Sequence, residues 1–94
     1  MTQESENLQL IQQHRDQIDI LDKQIVSLLN QRALHSLTIR TLKPGANMQL
    51  FDAAREDAIY EKVCALNEGP LADENLRAIY ATLLTQMRSA PDLK

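Results

Sequence analysis

The first 43 residues contain neither glycine nor proline, the two residue types that most often interrupt a helix. Within this stretch, isoleucine occupies four positions of a column whose members are seven residues apart, namely Ile11, Ile18, Ile25 and Ile39. An apolar column with this period is typical of one face of a long amphipathic helix. We therefore predict a single helix over residues 5–42, with Ser5 as its N-cap and Pro44-Gly45 as its end.

Two shorter helices are predicted after the long one. The first covers residues 49–67, where apolar residues recur at helical spacing, and Gly69-Pro70 ends it. The second begins at Asp73, a good N-cap residue, and Pro91 closes it. The few residues after Pro91 are expected to fray. The predicted fold class is therefore all-α, with one long and two short helices in each subunit.

The length of the first helix has a consequence for assembly. At 1.5 Å per residue it would be about 57 Å long, whereas a compact monomer of this size has a radius of gyration of about 12 Å. The two later helices are each about half as long, so they cannot cover the apolar column evenly. A second copy of the chain is the simplest cover, and we predict an intertwined homodimer.

Composition limits the class of protein. A chain of 94 residues is expected to form one domain, over residues 1–94, since domains usually contain about 100–150 residues. Two glycines, three prolines and 3% aromatic residues argue against a turn-rich β-sandwich or barrel. The net charge of −3 removes the broad basic surface on which binding to nucleic acids or anionic membranes depends. We expect neither of these partners.

Sequence features also bear on the compartment. The single cysteine, Cys64, cannot form an internal disulfide and is compatible with a reducing compartment. The N-terminal residues lack the basic and apolar segments of a secretion signal. We therefore expect a cytoplasmic protein.

One arginine lies where the apolar column predicts an isoleucine. Arg32 continues the seven-residue column, so it is predicted to be substantially buried. Its neighbours three and four residues away are not acidic; they are Leu28, Leu29, His35 and Ser36. Burying an unpaired guanidinium costs roughly several kcal/mol. Arg32 should therefore meet an anion, which could be an acid from another helix or a ligand.

Other charged residues allow two interpretations. Arg55 lies among apolar residues, but it could pair with Asp52 three residues earlier. Arg15 could form a solvated ion pair with Asp19. Lys43 could simply interact with the dipole at the end of the long helix. Alternatively, these cations could bind a small polyanionic ligand together.

Covalent and metal-dependent catalysis are not expected. His14 and His35 have no partner at metal-ligand spacing, and the sequence contains neither a glycine-rich phosphate loop nor a nucleophile motif. We predict no metal and no cofactor, and a site that works by positioning and electrostatics.

The charged and apolar residues form a recognisable series. The segment RDQIDILDKQIVSLLNQR, from Arg15 to Arg32, closely resembles the opening helix of the all-helical (AroQ-type) chorismate mutases. The resemblance extends over about residues 8 to 87 and includes Lys43 and the segments DAARE, NEGPL and LRAIY. It implies a dimer of three-helix subunits with two active sites, each completed by an arginine from the partner. The implied enzyme is an isomerase that rearranges chorismate to prephenate in phenylalanine and tyrosine biosynthesis, without a cofactor.

The resemblance also assigns roles by position. Arg15 matches the arginine donated across the dimer, and Arg32 matches a carboxylate-binding arginine. Lys43 matches the lysine that reaches a substrate carboxylate and the ether oxygen. Asp52 and Glu56 match the acids around the ring hydroxyl, and Arg55 matches the arginine beside that glutamate. The resemblance thus makes Arg32, Lys43 and Glu56 catalytic residues and all six residues substrate-binding.

The third helix departs from the family pattern. Met87 stands where many relatives have a small polar residue, and Pro91 stands where the family usually has a glutamine that binds the ether oxygen. Neither side chain can donate a hydrogen bond. Arg88 is one candidate substitute for that donor. The departures predict reduced activity and lead to one alternative, a weakly active helical dimer that senses a ligand or binds a partner. A second alternative is an enzyme similar to isochorismate pyruvate lyase, which resembles this fold and its cationic site but eliminates pyruvate.

Overall fold

The computed structural model describes residues 2–93, which form three α-helices and no strand. The helices are α1 (Gln3–Leu42), α2 (Ala53–Leu66) and α3 (Asp73–Ser89), and a single 3-10 turn (Pro44–Ala46) follows α1. The all-α, three-helix prediction is therefore confirmed.

The start of α1 differs from the prediction by two residues. Thr2, and not Ser5, caps the helix, because its Oγ1 accepts a 3.1 Å hydrogen bond from the backbone N–H of Ser5. Ser5 accordingly lies in the first turn. The acidic residues Glu4 and Glu6 share that turn, where a negative charge interacts favourably with the helix dipole.

The connection after α1 is longer than predicted because α2 begins four residues later. Asn47 adopts a left-handed conformation, with φ of 58°, and its N–H donates to the carbonyl oxygen of Pro44 at 3.1 Å. Asp52 is the N-cap of α2, since its Oδ1 accepts a 2.9 Å hydrogen bond from the backbone N–H of Arg55. The predicted start at residue 49 is therefore wrong, and Phe51 precedes the helix.

The connection between α2 and α3 is held by one asparagine. The Nδ2 of Asn67 donates to the carbonyl oxygen of Leu71 at 2.9 Å and to Oδ1 of Asp73 at 2.8 Å. Its Oδ1 accepts a 3.1 Å bond from the N–H of Gly69, whose φ of 77° suits glycine. The predicted N-cap role of Asp73 is wrong, because Ala72 is the N-cap and the Asp73 carboxylate binds Asn67 instead.

The chain divides into two compact units, the first ending at Ala33 and the second beginning at Leu34. From Gln3 onward the first unit is helix alone. In the second, Leu37 and Leu84 are buried, with 8% and 5% of their surface exposed. Among the described residues, no helix is long and apolar enough to cross a membrane.

The first unit leaves its apolar column uncovered. The exposed fractions of Ile11, Ile18 and Ile25 are 46%, 52% and 51%. A single helix has no second surface against which to bury these side chains. This part of the chain therefore presents an extended apolar face, which is unusual for a monomeric protein.

Candidate active site

The first unit contributes two arginines to the candidate site. Arg15 is exposed and lies beside an open apolar depression on α1 that is lined by Leu10, Ile11 and Ile18. The ion pair that Arg15 could have formed with Asp19 is not among the ion pairs of residues 2–93, so that alternative interpretation is wrong. The guanidinium of Arg15 forms no hydrogen bond to any residue from Thr2 to Leu93.

Arg32 is less buried than its position in the column predicts. It is half-buried, because the isoleucines of its column are themselves exposed in the single chain. It forms neither an ion pair nor a side-chain hydrogen bond within residues 2–93. The lack of an acidic partner nearby agrees with the sequence around it.

Arg15 and Arg32 are far apart along one helix. Both lie in the continuous helix α1, separated by seventeen positions, which corresponds to about 25 Å at 1.5 Å per residue. A small dicarboxylate cannot span that distance. If both arginines bind one small ligand, they must come from different chains.

Lys43 follows the end of α1 and is half-buried. Its Nζ donates a 3.0 Å hydrogen bond to the carbonyl oxygen of Leu50, two residues before the α2 N-cap. The ammonium group has three donors, so two remain for a ligand. Lys43 is thus tied to the segment that leads into α2.

The start of α2 brings three candidate residues together. Asp52 uses one carboxylate oxygen to cap the helix, and the bond goes to the backbone of Arg55 rather than to its guanidinium. The side-chain pair that was one of the two interpretations of Arg55 is therefore not formed. Arg55 is exposed, and its guanidinium has no ion-pair partner in the described part of the chain. Glu56 lies next to it in the first turn and is half-buried.

Glu56 joins α2 to α3 through an ion pair with Arg88. The Nη1 of Arg88 donates to Oε2 of Glu56, and its Nη2 donates to Oγ1 of Thr85 at 3.2 Å. The guanidinium carbon of Arg88 lies 5.3 Å from the centre of the Phe51 ring, a cation–π distance. The sequence indicated Arg88 only as a substitute donor for the missing glutamine. Its pair with Glu56 was not predicted, because no local pattern links residues 32 positions apart.

Met87 and Pro91, the two positions that depart from the family pattern, lie at the end of α3 and just beyond it. The helix ends at Ser89 with Ala90 as its C-cap, so Pro91 lies outside it. Met87 is half-buried, and its carbonyl oxygen accepts a hydrogen bond from Arg40. The chain has therefore left the helix at the position where the resemblance leads us to expect a glutamine.

The six candidate residues thus comprise three arginines without an ion pair in residues 2–93, one lysine and two carboxylates. Guanidinium groups bind carboxylates with two parallel hydrogen bonds, so this set suits a small ligand with more than one carboxylate. Within residues 2–93, no three His, Cys, Asp or Glu side chains are grouped so that they could hold a metal ion.

Comparison with known proteins places the chain in a family. Residues 14–90 match the family model described as chorismate mutase type II. The chain is 35% identical over 79 residues to a bifunctional chorismate mutase/prephenate dehydratase from Neisseria gonorrhoeae (strain ATCC 700825 / FA 1090), covering 83% of this chain and 21% of that protein. It is also 35% identical over 75 residues to the protein of the same description from Aquifex aeolicus (strain VF5), covering 76% of this chain and 21% of the relative. The chain therefore spans about a fifth of the length of these relatives.

Two solved structures share the fold. Chorismate mutase from Thermus thermophilus in form II has a TM-score of 0.82 at 24% identity, covering 88% of this chain and 98% of the other. Form I has a TM-score of 0.79 at 26% identity, covering 82% and 96%. The family match covers most of this chain and contains all six candidate site residues, so the chain belongs to the chorismate mutase type II family.

Proposed function

We propose that this protein is a chorismate mutase that converts chorismate to prephenate for the biosynthesis of phenylalanine and tyrosine in the cytoplasm. The observation that carries the proposal is the set of six matching residues, all within the family match, namely Arg15, Arg32, Lys43, Asp52, Arg55 and Glu56. None of the four cations in this set has an anionic partner in the part of the chain that the structure describes.

The chemistry of these residues suits an intramolecular rearrangement. In the Claisen rearrangement an ether bond breaks while a carbon–carbon bond forms in the same molecule, so neither a nucleophile nor a cofactor is needed. Arg15 and Arg32 bind the two substrate carboxylates bidentately and hold the substrate in its folded, reactive conformer. Negative charge grows on the ether oxygen in the transition state, and the ammonium of Lys43 stabilises it. Glu56 accepts a hydrogen bond from the ring hydroxyl.

The proposed enzyme is a homodimer in which each site receives Arg15 from the partner. Two observations support this assembly. The separation of Arg15 and Arg32, about 25 Å along α1, prevents one chain from supplying both to a single small substrate. The half-exposed isoleucine column provides the apolar surface that a second copy would cover.

The reaction product tests the proposal. Purified protein is incubated separately with chorismate and with isochorismate, and the products are separated and identified. We expect prephenate from chorismate at a rate above the uncatalysed background. Pyruvate and salicylate from isochorismate would instead indicate a lyase, and no product from either substrate would indicate a binding protein.

A further inference from the structure

The ion pair between Arg88 and Glu56 connects a residue outside the matched set to the proposed site. We infer that Arg88 is a positioning residue, which holds the Glu56 carboxylate in the orientation that accepts the substrate hydroxyl. This inference rests on the proposed function. Arg88 acts through Glu56 and does not itself touch the substrate.

Arg88 is fixed by three separate contacts of its guanidinium. These are with Oε2 of Glu56, with Oγ1 of Thr85 at 3.2 Å, and with the face of the Phe51 ring at 5.3 Å. A planar guanidinium held at both its edge and its face has little freedom to rotate. It can therefore fix the direction of the carboxylate that it binds.

The environment of Glu56 requires such a partner. Its side chain is 20% exposed, and a largely covered carboxylate needs a charged or hydrogen-bonding partner. Among residues 2–93, Arg88 is the cation that supplies it. The pair occupies Oε2 and leaves Oε1 without a protein donor in the described part of the chain. Glu56 thus has one oxygen that is held in place and one that can accept a hydrogen bond from a ligand.

Arg88 uses two of its five N–H donors on groups of the protein. Its place in the sequence made it a candidate to replace the missing glutamine near the ether oxygen. Both terminal nitrogens of its guanidinium are already engaged by Glu56 and Thr85. The ion pair predicts that the effect of Arg88 on the reaction passes through Glu56, whereas direct donation to the substrate would persist in the Glu56→Gln background.

A double-mutant cycle tests this dependence. The variants are Arg88→Met, which keeps an unbranched apolar stem but lacks the guanidinium and its charge, Glu56→Gln, and the two combined. Arg77→Met is the matched control, because Arg77 is an exposed arginine of the same helix without an ion pair in the described residues. Prephenate formation gives kcat and KM for each variant, and urea denaturation at one protein concentration identifies any loss of folding.

We expect Arg88→Met to lower kcat/KM about 10- to 100-fold, since misplacing a group that contacts the substrate has effects of that order. In the Glu56→Gln background the same change should have an effect of less than about twofold, because the carboxylate it positions is gone. Arg77→Met should match the unmodified protein. Should Arg88→Met not fold, Arg88→Lys completes the cycle, with a smaller loss that Glu56→Gln again removes.

Three results overturn the inference. The first is an Arg88→Met variant as active as the unmodified protein. The second is a double variant whose loss of kcat/KM is the product of the losses of Arg88→Met and Glu56→Gln, because Arg88 would then act independently of Glu56. An unmodified protein that forms no prephenate would overturn the proposed function and this inference with it. An active unmodified protein with an unaffected Arg88→Met variant would overturn the inference alone.

Discussion

The guanidinium of Arg40, two residues before the end of α1, donates a 2.7 Å hydrogen bond to the carbonyl oxygen of Met87 in the last turn of α3. The same group reaches the carbonyl oxygens of Arg88 at 2.8 Å and Ala90 at 2.7 Å, and it pairs with Asp92 at 3.0 Å. The last carbonyls of a helix have no intrahelical partner. Arg40 therefore caps α3 and fixes the end that carries Arg88.

Replacing this cap should reduce stability. We expect Arg40→Met to lower the free energy of unfolding by at least about 2 kcal/mol, because several hydrogen bonds to a charged group are lost and each is individually worth about 1.5–3 kcal/mol. Urea denaturation at a fixed protein concentration measures the change, with Arg77→Met as the control. A variant as stable as the control would contradict the capping role of Arg40.

The exposed column of α1 leads to a prediction of the oligomeric state. We expect light scattering after size exclusion, at micromolar concentration, to give about twice the 10.7 kDa chain mass. The reason is that Ile11, Ile18 and Ile25 are half-exposed in one chain and need a cover. A stable, helical monomer at that concentration would exclude the dimer and the site shared between chains.

The helices were largely predictable, and the contacts between them were not. The lack of glycine and proline before Pro44 was sufficient to predict α1. The start of α2 was predicted too early because Phe51 continues the helical spacing of the apolar residues that follow it. The helix begins after Asp52, because the Asp52 side chain accepts a hydrogen bond from the backbone N–H of Arg55.

The candidate site shows the same limit. Its six residues were identified because their order and spacing in the sequence resemble those of the family. The pair of Glu56 and Arg88 joins residues 32 positions apart, and the cap formed by Arg40 on Met87 joins residues 47 apart. No periodic or capping pattern connects such distant positions. The reduced burial of Arg32 was also missed, because the prediction assumed that its column was covered.

Arg32 should matter more for activity than for stability. We expect Arg32→Ala to lose most of its activity, about 100-fold or more in kcat/KM, because a bidentate carboxylate contact disappears. The dimer should be equally or more stable, since a cation is removed from an apolar column. Prephenate formation and denaturant titration should be measured on the same samples. Unchanged turnover with a large loss of stability would reject the catalytic assignment.

The end of α3 at Ser89 predicts a weak enzyme that depends on Lys43. With Pro91 outside the helix, we expect the proposed site to lack one of two donors to the ether oxygen, and one such donor is typically worth about 10²–10³ in kcat. We expect Lys43→Ala to nearly abolish prephenate formation. Pro91→Gln should not restore the rate, because the new side chain would not be held by a helix. Turnover by the unmodified protein as fast as that of a relative with the glutamine would show that another donor fills the gap.

The proposed active site takes Arg15 from one chain and Arg32 from another, and complementation between inactive variants is its sharpest test. Arg15→Ala and Arg32→Ala are each assayed alone, then mixed in equal amounts, exchanged through mild denaturant and refolded. Random pairing makes half of the dimers mixed, and each mixed dimer has one site with both arginines, so about a quarter of the unmodified activity should return. We expect prephenate formation at that level. A mixture no more active than the separate variants would mean that the two arginines do not meet across the dimer.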